Sequence, residues 1–163
     1  QTNLTSSFFV LREAVKHMRN SGGSLVFTSS AAALRGMINH EAIAAAKAGI
    51  IGMALAAAAS YARSGIRVNC VAPGTIAGPR MTGVIEREAA AMDMTADAVK
   101  ASYEDQVSMR TFIDASDIAA MATFLCSDAA RFINGEIIGV DGNCETLRTA
   151  WPDDHRVDSD IEF

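Results

Sequence analysis

Residues 24–30 read SLVFTSS and residues 66–72 read IRVNCVA, and the alanine-rich stretch between them is centred on NHEAIAAAKAG, residues 39–49. The flanking runs are short, carry β-branched and aromatic residues, and are bounded by Gly, Ser and Pro, which is the pattern of buried strands. From about Glu41 to Arg63 the intervening segment reads as a helix, ended by Ser64-Gly65. Strand, helix and strand in that order predict a parallel pair joined by a right-handed crossover.

Working outward, the same alternation continues. Upstream, Phe8, Phe9, Leu11, Val15 and Met18 recur at helical spacing to about Arg19, and Asn20-Ser21-Gly22-Gly23 stops that helix. Downstream, Pro73-Gly74 cuts the second strand. Val84 to Ser108 then reads as one or two exposed helices, Ser116 to Ser127 as an amphipathic helix, and Glu136 to Val140 as a last strand before Asp141-Gly142. The expected fold is α/β, a doubly wound parallel sheet of which these elements supply about half. From Trp151 to Phe163 five acids outnumber Arg156 and His155, so an acidic solvated tail is expected there.

Composition excludes several classes. A chain of 163 residues, half of them hydrophobic, is long enough for one globular domain. A net charge of −5 without clustered Lys and Arg argues against a nucleic-acid surface. Cys70, Cys126 and Cys144 are odd in number and lack CxxC spacing, which suggests neither a disulfide framework nor a metal site and fits the cytoplasm. The apolar runs are broken before the roughly 20 residues a membrane span requires, so no membrane partner is expected. Gln1 leads at once into a helical pattern, and the chain is expected to continue upstream.

Five motifs in one order resemble the short-chain dehydrogenase/reductases, in particular the C-terminal part of β-ketoacyl-carrier-protein reductases. They are Asn3-Leu4-Thr5 opening a helix, Gly23 to Ser30, Lys47-Ala48-Gly49 in the alanine-rich helix, Gly65 to Asn69 leading to Pro73-Gly74, and Phe124 to Asp128 leading to Gly135 and Asp141-Gly142. The resemblance implies that residues 1–144 form the C-terminal part of one Rossmann-like domain. Its N-terminal, nucleotide-binding half would be absent here, and residues 145–163 would be the acidic tail.

The resemblance also implies a tetrad of Asn, Ser, Tyr and Lys. Asn3 lies 27 residues before Ser30 and Lys47 lies 17 after it, both at family spacing. By resemblance the serine binds the substrate oxygen, the lysine binds cofactor ribose and lowers the tyrosine pKa, and the asparagine helps hold a relay water. Tyrosine is the family's general acid or base, since a phenol must be shifted toward neutrality by a nearby cation to exchange protons. In this chain that position is Ile43, which has no ionisable proton. His40, seven residues before Lys47, can project from the same helix face, and enoyl-carrier-protein reductases are similar in keeping their tyrosine at that distance. Its plainer reading is a polar residue where the chain enters the helix.

For the cofactor, NAD or NADP, the resemblance points to Lys47, to the turn Pro73-Gly74 and to the backbone of Ile76. Gly78 replaces the family's usual threonine. Met81 to Ser108 corresponds to the substrate-covering segment, and its Met and Ala content suggests a small apolar substrate. Two readings follow: an NAD(P)-dependent oxidoreductase acting on a carbonyl, an alcohol or an activated double bond, or a catalytically silent relative keeping ligand binding or an oligomer surface. By resemblance the intact protein would be a homodimer or homotetramer.

Overall fold

The structure is a computed structural model that describes residues 2–37 and 39–144, so the expected tail at 145–163 lies outside the described residues. The order is α1 (Leu4–Met18), β1 (Gly23–Thr28), α2 (Glu41–Tyr61), β2 (Ile66–Pro73), α3 (Pro79–Met92), α4 (Ala96–Glu104), α5 (Ala115–Cys126) and β3 (Ile137–Val140). The strands form one parallel sheet in the order β1-β2-β3. Leu25 pairs with Val68 and Cys70 with Ile137.

β2 is central, and every residue in it except Arg67 is buried, as expected of a parallel strand covered on both faces. Its alternation sets the two layers. Ile66, Val68 and Cys70 meet Leu11 and Val15 of α1 and Ile50, Ala54 and Ala57 of α2. Val71 packs instead with Leu125 of α5 and with Ala130. Helices thus cover both faces, and the fold is the doubly wound α/β sheet expected from the sequence. The small alanines at 54, 57 and 58 let α2 lie close on β2.

Two polar residues of β2 fasten the irregular connection from α5 to β3. The Arg67 guanidinium donates to the carbonyls of Leu125 (2.8 Å), Ile133 (3.1 Å) and Ser127 (3.3 Å). Asn69, fully buried, donates to the Ile133 carbonyl at 3.0 Å and accepts from the Glu136 N–H at 3.0 Å. Asn134 completes the set, accepting from the Val68 N–H at 2.9 Å and donating to the Ala58 carbonyl at 3.1 Å. Backbone groups that a loop would leave unpaired are satisfied by side chains.

Three details depart from the sequence reading. The helical region expected from Val84 begins at Pro79, because proline at the first helical position costs no hydrogen bond. It is two helices, broken at Asp93 in left-handed conformation, and they are not simply exposed: Ile85, Ala89 and Val99 bury one another with Met81, Tyr103 and Phe112. β1 stops at Thr28, two residues short of Ser30. Finally, Glu41–Ser64 is long and apolar enough to cross a membrane by length and composition, contrary to the expectation that no run reaches that length. Here one side of that helix packs on β2 and α1, while only 22% of its apolar window is buried.

Candidate functional site

All three strands point the same way, so Thr28, Pro73 and Val140 end on one edge of the sheet, the carboxyl edge, where parallel α/β folds bind ligands. The segments leaving that edge are Ser29-Ser30, Gly74 to Ile76, and Asp141-Gly142. Lys47 reaches the same edge from α2.

The lysine is anchored by a reciprocal pair of bonds. Its Nζ donates to the Thr28 carbonyl at 2.8 Å, and the Ser29 hydroxyl donates to the Lys47 carbonyl at 3.0 Å. Ser29 is buried, so the two adjacent serines divide: Ser29 ties strand to helix, and Ser30 turns outward half-buried. The Ser30 Oγ accepts from the Ala32 N–H at 3.2 Å, capping the short turn Ala31–Ala33. Burial lowers the Lys47 pKa from its ordinary value, opposed by the neighbouring Cys70. Burial pushes the Cys70 thiol up to about 11, only partly countered by the Lys47 charge, so it stays protonated beneath the ammonium. Neither Cys70 nor the Thr28 carbonyl was singled out from the sequence; a strand pairing drawn at the right register places both next to the lysine.

Asn3 is exposed at the start of α1, and its carbonyl accepts from the hydroxyls of Ser6 (3.0 Å) and Ser7 (2.9 Å). Gly49 explains how that end of α1 is placed. A Cβ on Gly49 would lie 2.7 Å from Leu4 Cδ2, so the glycine of Lys47-Ala48-Gly49 leaves the room in which Leu4 seats the start of α1 on α2.

His40 stands one position before α2, as its N-cap residue, and its carbonyl accepts from the Ala44 N–H at 2.7 Å. Its dihedrals, φ −115° and ψ 13°, are not helical, so the helix does not extend back to it and the helix period does not set the face that the sequence reading expected His40 to share with Lys47. Ile43, half-buried, lies one turn before Lys47 on the same helix face.

On the β2 side, Gly74 donates to the Val140 carbonyl at 3.0 Å, and a Cβ there would fall 2.8 Å from Asp141 Cβ and 2.9 Å from its Cα. Only glycine fits between the two strand ends. Beyond it, Ile76 pairs with Ile113 through the Thr75 carbonyl (3.1 Å) and the Ala77 N–H (2.9 Å). In such a bridge the peptide groups of Ile76 itself point to the opposite side, ready for an amide partner. A half-buried ammonium and an outward peptide edge on one sheet end suit a ligand carrying ribose hydroxyls and a carboxamide.

A cavity of about 280 Å³ opens beside this edge, between α3 and α4. Ala77, Met81, Ile85, Ala96 and Phe112 give it an apolar lining, with Glu86, Asp97 and Lys100 at its polar side. Ser30, His40 and Lys47 do not line it. Among the described residues no group of His, Cys, Asp and Glu could hold a metal ion.

Comparison with known proteins agrees with this geometry. A family profile described as enoyl-(acyl carrier protein) reductase matches residues 1–143. The chain is 35% identical over 142 residues to levodione reductase of Leifsonia aquatica, covering 86% of this chain and 52% of that protein. It is 32% identical over 143 residues to the 3-oxoacyl-(acyl-carrier-protein) reductase of Aquifex aeolicus (strain VF5), covering 87% and 53%. Among solved structures, ElxO with NADP bound superposes with a TM-score of 0.77 at 27% identity, over 89% of this chain and 56% of that one. The chain thus spans about half the length of the curated relatives it matches.

Proposed function

Because the chain belongs to the short-chain dehydrogenase/reductase family, we propose that it forms part of an NAD(P)-dependent oxidoreductase acting on a carbonyl, an alcohol or an activated double bond of a small apolar substrate. The observation that carries this reading is Lys47, a half-buried ammonium held on the Thr28 carbonyl at the carboxyl edge of the sheet, with Ser30 leaving that edge. Burying an ammonium is unfavourable without a partner, and the Thr28 carbonyl supplies one at this edge. Residues 1–144 would be the C-terminal part of one Rossmann-like domain. The pyrophosphate-binding glycine loop would belong to the part of the relatives that this chain does not span.

The chemistry that NAD or NADP supplies when bound is hydride transfer. Lys47 would hold the ribose hydroxyls through Nζ, and the Pro73-Gly74 turn with the Ile76 peptide groups would hold the carboxamide. Ser30 would orient the substrate oxygen through its hydroxyl. Asn3, at the end of α1 that Leu4 seats on Gly49, would fix water near Lys47. Proton transfer would fall to His40, since Ile43 offers no proton and an imidazole can both donate and accept one. The apolar lining of the cavity beside Gly78 supports an apolar substrate group.

A second reading, a catalytically silent relative that keeps ligand binding or an oligomer surface, is favoured by Ile43 and by the outer faces of α1 and α2. Phe8, Phe9 and Val10 of α1 and Leu55 of α2 are exposed, and only 22% of the apolar window in α2 is buried. Those faces support a homodimer or homotetramer of the intact protein in either case. Its three cysteines, all free, favour the reducing cytoplasm.

Turnover by the intact protein with NADH or NADPH and a panel of cyclic and acyclic ketones decides between the readings. The expected result is reduction that His40→Phe abolishes without changing cofactor affinity, and that Ile43→Tyr increases. Cofactor binding without turnover selects the silent relative, and absence of binding removes the nucleotide site altogether.

A further inference from the structure

We propose that Arg35 is a positioning residue that couples the helical cover α3–α4 to the turn carrying Ser30, so that the cover and the serine move as one body. This rests on the oxidoreductase reading only for its consequence in catalysis; the mechanical coupling stands on contacts in the chain. The Arg35 Nη1 donates to the Cys144 carbonyl at 2.6 Å and to the Gln106 carbonyl at 3.4 Å. One nitrogen thus bridges the segment after α4 and the segment after β3.

Both flanks of the bridge are closed structures. On the serine side, Ala32 donates to the Ser30 Oγ, Ala33 to the Ser30 carbonyl at 3.0 Å, and Leu34 and Arg35 to the Ala31 carbonyl at 3.0 and 2.9 Å. Every residue from Ser30 to Arg35 takes part in that turn, so the backbone that carries the Arg35 side chain is held to that of Ser30. On the cover side, Gln106 and Val107 donate back into α4, to the Tyr103 (3.2 Å) and Glu104 (3.0 Å) carbonyls. Val107 is buried against Gly142, where a Cβ would lie 2.7 Å from its Cγ1. Ser108 and Met109 donate to the Asn143 (3.3 Å) and Gly142 (3.2 Å) carbonyls, making 106–109 and 142–144 a unit.

Arg35 joins that unit directly to the serine turn. With it, the end of α4 and Ser30 are joined by a charge-assisted link of six residues at most on either side. Closing the cover over a substrate would therefore also set the direction of the Ser30 hydroxyl.

The test is amide hydrogen exchange on the intact protein as wild type, Arg35→Met and Arg35→Lys. Methionine keeps the length of the stem and removes the donors; lysine offers one nitrogen, which suffices because both bonds come from Nη1. Arg35→Met should accelerate exchange in residues 31–35 and in 105–110 together, by about tenfold, the worth of one charge-assisted bond. Arg35→Lys should restore both. In steady state Arg35→Met should raise the substrate KM by a similar factor with kcat and cofactor affinity within about twofold. Acceleration in one segment alone would overturn the coupling, and an unmoved KM would overturn the positioning role. A wild type without turnover would sink the oxidoreductase reading instead, while the paired exchange rates still decide the coupling.

Discussion

Replacing Asn69 by alanine tests the account of how the sheet holds the chain that leads to its carboxyl edge. The side chain is fully buried and makes two bonds to the connection before β3, donating to Ile133 and accepting from Glu136, each at 3.0 Å. Alanine would leave the Glu136 N–H without its partner, while the Ile133 carbonyl keeps the Arg67 guanidinium as a donor. At about 1–3 kcal/mol for the one orphaned group the loss is about 2 kcal/mol. That is a large share of the roughly 5–15 kcal/mol by which folded proteins are stable. With a urea dependence of about 2 kcal/mol per molar, the midpoint of unfolding should fall by about 1 M. Asn69→Asp separates the two bonds. A carboxylate still accepts from Glu136 but faces the Ile133 carbonyl with no proton to give, so the folded state raises its pKa above the unfolded value of about 3.9. A raised pKa means that folding takes up a proton. The stabilising contribution is full below the unfolded pKa and is lost as pH rises through the folded one. Asn69→Asp should therefore approach wild-type stability toward low pH and fall toward Asn69→Ala at neutral pH. A urea midpoint for Asn69→Ala within about 0.5 M of wild type would refute the reasoning.

Two further expectations follow from the same contacts. Gly74→Ala should lower the melting temperature and weaken NADH or NADPH binding, because its Cβ would meet Asp141 backbone and Cβ atoms that cannot yield; overpacking of this kind costs about 1–3 kcal/mol. Calorimetry giving an unchanged transition would show that the strand ends have room to part. Tyr103, which donates to both carboxylate oxygens of Glu88 at 2.9 Å, has its phenol pushed up to about 12, by burial first and then by Glu88. Its contribution to stability should be complete below about pH 10 and vanish as pH rises through about 12. Ultraviolet titration of wild type against Tyr103→Phe reads that ionisation, and Glu88→Gln should bring it to lower pH.

The alternation of strands and helices was legible in the residues because buried parallel strands and alanine-rich helices differ in composition as well as in period. Ile66 to Ala72 could be placed within a residue, and Glu41 to Arg63 nearly so. The covering segment was read less well: Val84 as its start misses Pro79, and its burial arises only when α3 and α4 face each other across Ile85 and Val99. That contact is a property of the pair, invisible along either helix alone.

For the site, the chain itself determined which residue types stand at which spacing: Asn3, Ser30 and Lys47 at family distances, and Ile43 where a phenol would be. Those facts are one-dimensional and need no fold. Tertiary structure decided which of two adjacent serines faces outward, with Ser29 spent on the Lys47 carbonyl and Ser30 on its turn. It also put Cys70 under the lysine, Leu4 into the space left by Gly49, Asp141 against Gly74, and Arg35 across two carbonyls more than seventy residues away. Each of these depends on the register of parallel strands and the seating of a helix on a sheet, and packing of distant segments fixes those, because local preference is the same in either register.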